Sequence, residues 1–356
     1  MDINVLTQEA TELLCKLIET PRISREEQHA ANLLEKHMKE QGLTVSRQGC
    51  NVWASSPHWK DNRPTLLLNA HIDTVRPTSA WTREPHRAVI EGDRLYGLGA
   101  NDDGASLVSL LQVFRMLSME EQPYNLIFLA SAEEEVSGDG GMRMVLPKLP
   151  HIDVALVGEP TGMQPAIAEK GLMVLDVTAH GIPGHAARNE GDNAIYHALD
   201  DIQWFRSYQF PNVSELLGPV KMTVTVIQAG TQHNVIPAEC NFTVDVRSNE
   251  CYSNEEIYDI VCQHVTSEVK ARSFRLNSSR IDISHPLVQR AVALGRKPFG
   301  SPTLSDQSLM PFPSMKMGPG QSSRSHSADE FVLISEIKEA ITVYHDLLNG
   351  LSNVPD

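Results

Sequence analysis

The chain has no paired-cysteine motif. Its five cysteines, Cys15, Cys50, Cys240, Cys251 and Cys262, are odd in number and include no CxxC. That spacing argues against a disulfide framework and a thiolate zinc site, and predicts reduced thiols in a cytoplasmic protein. Positive charge is also scarce. Lys and Arg total 30 against 45 Asp and Glu, a net charge of -15. Such a surface argues against nucleic acid and anionic membrane as partners, and suits a protein that collects cations. No apolar run approaches ~18 residues, so no membrane span is predicted. Met1-Asp2-Ile3-Asn4 opens no basic-then-apolar leader. Internal repeats and low-complexity tracts are lacking as well. What is present is 356 residues, 41% of them hydrophobic, enough for two domains and a substantial core.

One stretch organises the rest. Leu66-Leu67-Leu68-Asn69-Ala70 is a short apolar run that ends in His71-Ile72-Asp73. Residues two apart in extended chain point to the same side. His71 and Asp73 are therefore expected to project together from the tip of a buried strand, an imidazole with a carboxylate to orient it. An isolated His-x-Asp is more readily a solvated strand end, but the pattern recurs. Asn125–Ala132 is a second apolar run and leads into Glu133-Glu134-Glu135. Val154–Val157 is a third and delivers Gly158-Glu159-Pro160-Thr161. A glycine-rich stretch, Tyr96-Gly97-Leu98-Gly99-Ala100-Asn101-Asp102-Asp103-Gly104, precedes an apolar helix. Aspartate there is equally the commonest helix N-cap.

Helical patterns separate these runs. Residues 7–19 carry Leu13, Leu14, Leu17 and Ile18 at helical spacing. Ser24 and Glu27 match a capping box for a helix bearing Leu33, Leu34 and Met38. Alternating strand and helix predicts an α/β fold with a mainly parallel sheet and helices on both faces. Ligands of such sheets bind beyond the carboxyl ends of the strands, where the acidic and histidine residues would converge.

The texture changes near Glu169. Met222, Val224 and Val226, like Phe242, Val244 and Val246, alternate with polar residues, as in sheets buried on one side. One helix, with Ile195, Ala198, Leu199, Ile202 and Phe205 inward, precedes them. Another, opened by a Ser253/Glu256 capping box, follows. With Gly171–Thr178 and 273–281 as outer strands, the order is βαββαβ, a ferredoxin-like α+β unit inserted at 169–278. Residues 1–168 and 279–356 then form the first domain. Pro302–Asp306 and Pro311–Gly320 are read as loops, and the last helix buries Ile337, Ile341, Tyr344 and Leu348.

Taken in order, these motifs resemble the aminoacylase/carboxypeptidase-G-type family of two-zinc metallohydrolases, and most closely its acetylornithine deacetylase and succinyl-diaminopimelate desuccinylase branch. The motifs are His71-Ile72-Asp73, Tyr96–Asp102, Glu134-Glu135, Gly158–Thr161, Gly184-His185-Ala186 and His326-Ser327-Ala328-Asp329-Glu330. The resemblance implies that His71 and Glu159 bind one zinc and Glu135 and His326 the other. Asp102 bridges the two, Asp73 orients His71, and Glu134 is the general base. Cobalt or manganese substitutes in such centres. It further implies that the inserted domain is a lid and dimerisation unit. There His185 reaches the partner's site to stabilise an oxyanion, and Asn234 and Arg247 contact substrate. Two departures stand out. Asp102 is followed by Asp103-Gly104, where the family has an apolar residue, Lys and Gly, and Glu133 makes the acidic pair a triplet. They leave open which aspartate bridges and which glutamate is the base.

The activity implied is hydrolysis of an N-acyl amino acid by a cytoplasmic homodimer, with N-acetylornithine of arginine biosynthesis the best single substrate. An N-succinyl substrate or a dipeptide is the rival. Arg324, two residues before His326, is a cation that could hold a succinyl carboxylate; it is equally a surface loop residue.

Overall fold

The computed structural model describes residues 2–188 and 190–352. The chain divides into two compact units. The first comprises Met1–Ile167, Ile281–Phe299 and Ser305–Asp356, and the second Ala168–Arg280 with Gly300–Leu304.

At the heart of the first unit are four parallel strands, side by side in the order Asn125–Ser131, Thr65–His71, Val154–Val157 and Ser314–Lys316. Asn51–Ser55 and then Val45–Gln48 extend the sheet antiparallel beyond Asn125–Ser131. On the opposite flank Lys316 pairs antiparallel with Ala166. Every residue of Thr65–His71 and Asn125–Ser131 is buried. That explains their continuous apolar character, because a strand covered on both faces has no side to leave polar.

The long helices of this unit are not shared between the two faces as expected. Leu66, Leu68 and Ala70 pack with residues of Ile3–Ile18, Gln28–Glu40, Ala105–Leu117, Pro286–Ala293 and Ile334–Leu348. Leu67, Ile127, Leu129 and Val157 meet the four-residue helix Met142–Val145, together with Met310 and Trp53. On that face the connection between Ser131 and Val154 forms only the short helix Met142–Val145 and the turn Leu146–Lys148. Ser314–Lys316 is a second surprise. Three residues including a serine and a lysine, set between prolines and glycines, carry no apolar signal, yet they form a central strand.

The second unit contains a four-stranded antiparallel sheet in the order Lys221–Ala229, Glu239–Arg247, Met173–His180, Glu268–Ala271. Helices Ala194–Ser207 and Asn254–His264 complete the strand–helix–strand–strand–helix–strand order. The Ser253/Glu256 capping box is present. The last strand of this sheet lies at 268–271, short of the expected 273–281. Leu199, expected to point inward, is 51% exposed, while Ala198 and Asp201 of the same turn are buried, so the buried stripe of this helix passes beside Leu199. Among the described residues no helix is long and apolar enough to cross a membrane, and all five cysteines are free.

Candidate metal centre

The three strands that end in ligand-type residues are neighbours. Asn125–Ser131 runs into the glutamate triplet, Thr65–His71 ends on His71, and Val154–Val157 leads to Glu159. Their carboxyl ends therefore bring these side chains to one place, which the sequence spacing alone could not measure.

His71 is 2% exposed. Its Nδ1 lies 3.1 Å from the Asp73 carbonyl oxygen. A carbonyl can only accept, so Nδ1 carries the hydrogen and Nε2 is turned to the centre. Nε2 lies 3.1 Å from Asp102 Oδ1 and 3.9 Å from Glu134 Oε2. On the far side, His326 Nε2 is 2.9 Å from Glu135 Oε2 and 3.7 Å from Asp102 Oδ2. Asp102 thus presents one oxygen to each histidine. Potential ligand atoms of His71, Glu134 and Glu159 all lie within 4.8 Å of one another, as do those of His71, Asp102 and Glu135.

Both ambiguities of the sequence resolve into different orientations. Glu133 sits at φ 54 and faces away, where Gly140 N donates to its Oε2 at 3.2 Å. Asp103 is fully buried beside Ser106 rather than between the histidines, and burial pushes its carboxyl up to about 7.

Electrostatics mark the cluster as one that wants a cation. Burial raises Glu134 well above the usual carboxylate range; Glu159, Asp306 and Glu135 raise it further, while His71 pulls it back. Burial likewise raises Glu159, with Asp102 and Asp103 adding to the effect. His326 is lifted to about 9, chiefly by its hydrogen bond to Glu135. A divalent ion would offset the same charge, since like charges this close cannot all ionise uncompensated. Imidazole nitrogen with several carboxylate oxygens is a donor set that suits zinc, manganese or cobalt.

A supporting shell surrounds these residues, and most of it was not foreseen. Asp73 accepts from Glu134 N at 3.0 Å, Glu135 N at 3.1 Å and Ser24 Oγ at 2.7 Å. Ser24 therefore does not cap a helix as expected; Gln28–Glu40 starts after Glu27, and no side-chain cap bond forms. Glu330 accepts from Gly99 N at 3.0 Å, Asn101 N at 2.8 Å and Asp102 N at 2.9 Å. Asp306, read as part of a loop, accepts from Asn69 at 3.0 Å and Ser131 at 2.6 Å beneath the centre. Asp73 and Glu330 lie inside site motifs of the sequence; Ser24 and Asp306 have no such role there. These last two are separated from their partners by 49 to 237 positions, a distance that no local pattern encodes.

Arg324 lies in an ion pair. Its guanidinium donates to both oxygens of Glu336, at 2.7 and 3.2 Å, and lies 4.5 Å from the centroid of the Phe331 ring. These contacts tie the His326 loop to the last helix.

The remaining expected residues belong to the second unit. Gly184–His185 pairs with Val235–Ile236, and Ala186 N donates to Asn234 O at 3.0 Å, so His185 and Asn234 share one hairpin-like pairing. His185 is exposed, and its Nδ1 accepts from Ala187 N at 3.1 Å. Arg247 is held by Asp245, two residues before it, at 2.9 and 3.1 Å.

A parallel sheet with a carboxylate–histidine nest at its strand ends is the architecture of a metal-dependent hydrolase. The comparisons give the particular family. The profile described as Peptidase family M20/M25/M40 matches residues 67–350, and the chain belongs to that family. A Peptidase M20 domain-containing protein of Schizosaccharomyces pombe is 28% identical over 350 residues, covering 92% of this chain and 81% of its own. Aminopeptidase PepT of Bacillus cereus superimposes with a TM-score of 0.77 at 15% identity, covering 98% of this chain and 99% of its own. YXEP of Bacillus subtilis, described as a dinuclear metal binding peptidase of the M20 family, does so at 0.73 and 17% identity, covering 97% and 98%. At these identities the two structures speak for the fold.

Proposed function

We propose that the protein is a metal-dependent hydrolase that cleaves the amide of an N-acyl amino acid, with N-acetylornithine as the best single substrate, giving ornithine and acetate. The observation that carries this reading is the convergence of His71, Asp102, Glu134, Glu135, Glu159 and His326 at adjacent strand ends. His71, Asp102 and Glu159 would hold one divalent ion and Asp102, Glu135 and His326 a second, most simply zinc, with cobalt or manganese as substitutes. When bound, such ions lower the pKa of water and polarise a carbonyl. Glu134, buried and raised by its surroundings, is suited to take a proton from water and hand it to the departing amine. Asp73 holds His71 in the tautomer that offers Nε2 to the metal.

His185 is proposed to stabilise the oxyanion from a partner subunit, with Asn234 and Arg247 on the substrate. A homodimer through the second unit, acting there as a lid, is supported by exposed apolar residues on one helix and the strand it packs on: Tyr196 (67%), Leu199 (51%), Val226 (48%) and Ile227 (52%). The free thiols fit a cytoplasmic setting. The Arg324–Glu336 pair supports acetyl over succinyl, since it answers the charge that a succinyl carboxylate would otherwise meet. A dipeptidase or aminoacylase is the second reading, favoured by the peptidases among the structural neighbours.

The experiment is a panel of N-acetylornithine, N-succinylornithine and simple dipeptides, with and without chelator. The proposal expects chelator-sensitive turnover, highest on N-acetylornithine. A thousandfold preference for a dipeptide or the succinyl compound would overturn the acetyl assignment.

A further inference from the structure

The six residues 22–27 between the first two helices touch three of the loops that carry the metal-centre residues. Arg22 Nη1 donates to Ile72 O at 2.7 Å, between His71 and Asp73. Arg22 Nη2 donates to Gly99 O at 2.8 Å, three residues before Asp102. Arg22 O accepts from Thr74 N at 3.0 Å, and Ser24 N donates to Thr74 O at 3.2 Å. Ser24 Oγ donates to Asp73 Oδ2 at 2.7 Å. Glu27 Oε1 accepts from Glu133 N at 3.1 Å, one residue before Glu134.

Arg22 is the unusual member. It is 1% exposed and among the largest side chains buried so completely. Both of its hydrogen bonds named above go to backbone carbonyls of these loops. Burying a guanidinium this way is costly unless negative charge surrounds it. Here Glu330, Asp73, Asp103 and Asp102 supply that charge. Its space is kept open by two glycines. A Cβ at Gly99, which has φ +71, would lie 2.5 Å from Nη2, and one at Gly104 would lie 3.0 Å from it.

We infer that Arg22–Glu27 is a clasp that sets the mutual spacing of the His71–Asp73, Gly99–Asp102 and Glu133–Glu135 segments, with Arg22 and Ser24 as positioning residues for the metal centre. The role rests on the metal-centre reading above and extends it to residues that touch neither metal nor substrate. Groups that orient metal ligands usually change metal affinity by about 10- to 100-fold when removed. A segment serving only to join helices would change stability alone.

The test is Co2+ binding to chelator-stripped protein, read by competition with a chromophoric chelator and by the visible Co2+ spectrum. Arg22→Met, Arg22→Lys and Ser24→Ala are compared with the unchanged protein. The clasp predicts about 10- to 100-fold weaker Co2+ binding and an altered spectrum for Arg22→Met and Ser24→Ala. Arg22→Lys, which keeps the charge and one donor, recovers part of the loss. Turnover falls in kcat, with KM within about twofold. If Arg22→Met does not fold, Ser24→Ala alone decides. Unchanged Co2+ affinity and spectrum in the folded variants, with only a lower melting temperature, would overturn the clasp. Because Co2+ binding is measured without substrate, a wrong substrate assignment leaves this result standing. Unchanged protein that takes up no Co2+ would overturn the metal centre and the clasp together.

Discussion

The two units hold their expected site residues in different ways. In the first, His71, Asp73 and Glu330 are buried, and each makes a contact 31 to 231 positions away in sequence, with Asp102, Ser24 and Gly99 respectively. In the second, His185 is exposed, and the Arg247 side chain bonds Asp245, a neighbour two residues away. A crowd of buried carboxylates raises its own pKa values and is tolerated only where protons or cations offset the charge. Nothing within the second unit makes a comparable demand on His185. A site that is self-contained can be read from one unit. Residues that are merely presented acquire a role from what they meet, so the two halves of the proposal need different experiments.

The largest effect is expected in the first unit. Glu134→Ala should lower turnover by about 10²–10⁴-fold while metal content, measured by elemental analysis, stays near that of the unchanged protein. Unchanged turnover would remove Glu134 as the base. His185→Ala should cost about 10²–10³-fold in kcat and leave metal content untouched. Mixing the Glu134→Ala and His185→Ala proteins should recover activity if His185 works across a dimer. Failure of mixed subunits that have verifiably exchanged would place it in its own chain's site.

A third effect is pH-dependent. His326 of the metal-free protein is raised from 6.5 to about 9 by Glu135. A histidine with a raised pKa contributes stability that is full below its unfolded value and is lost as pH rises through its folded value. The metal-free protein should therefore lose part of its thermal stability between about pH 6.5 and 9, and His326→Gln should flatten that loss. Metal must displace the same proton, so affinity should climb by up to about tenfold per pH unit across the window. Calorimetry in buffers of different ionisation heat would read the released protons. The smallest effect belongs to Arg324. Arg324→Leu should lower stability by about 1–3 kcal/mol, seen in denaturant unfolding, without shifting preference between acetyl and succinyl substrates.

How much of this was legible in the sequence follows the same division. Continuous apolar runs revealed the central strands because both faces are covered, and residue types at their ends revealed the nest. Ser314–Lys316 was invisible because a three-residue strand bearing Lys316 has no pattern to show. Ser24 and Glu27 had the spacing of a capping box, but their partners, Asp73 and Glu133, are tertiary, and tertiary contacts overrode the local rule. Leu199 obeyed helical periodicity and still faced outward, since periodicity defines a stripe but not its neighbour. Arg324 was chosen for its nearness to His326; its charge was already answered by Glu336, one turn into the following helix.

The most direct measurement is the number of divalent ions bound per chain. Chelator-stripped protein is dialysed to equilibrium against zinc, alongside His71→Ala and His326→Ala. The account predicts two ions per chain for the unchanged protein, with weakened occupancy in each histidine variant. Stoichiometry near zero, or occupancy unmoved by either substitution, would contradict it.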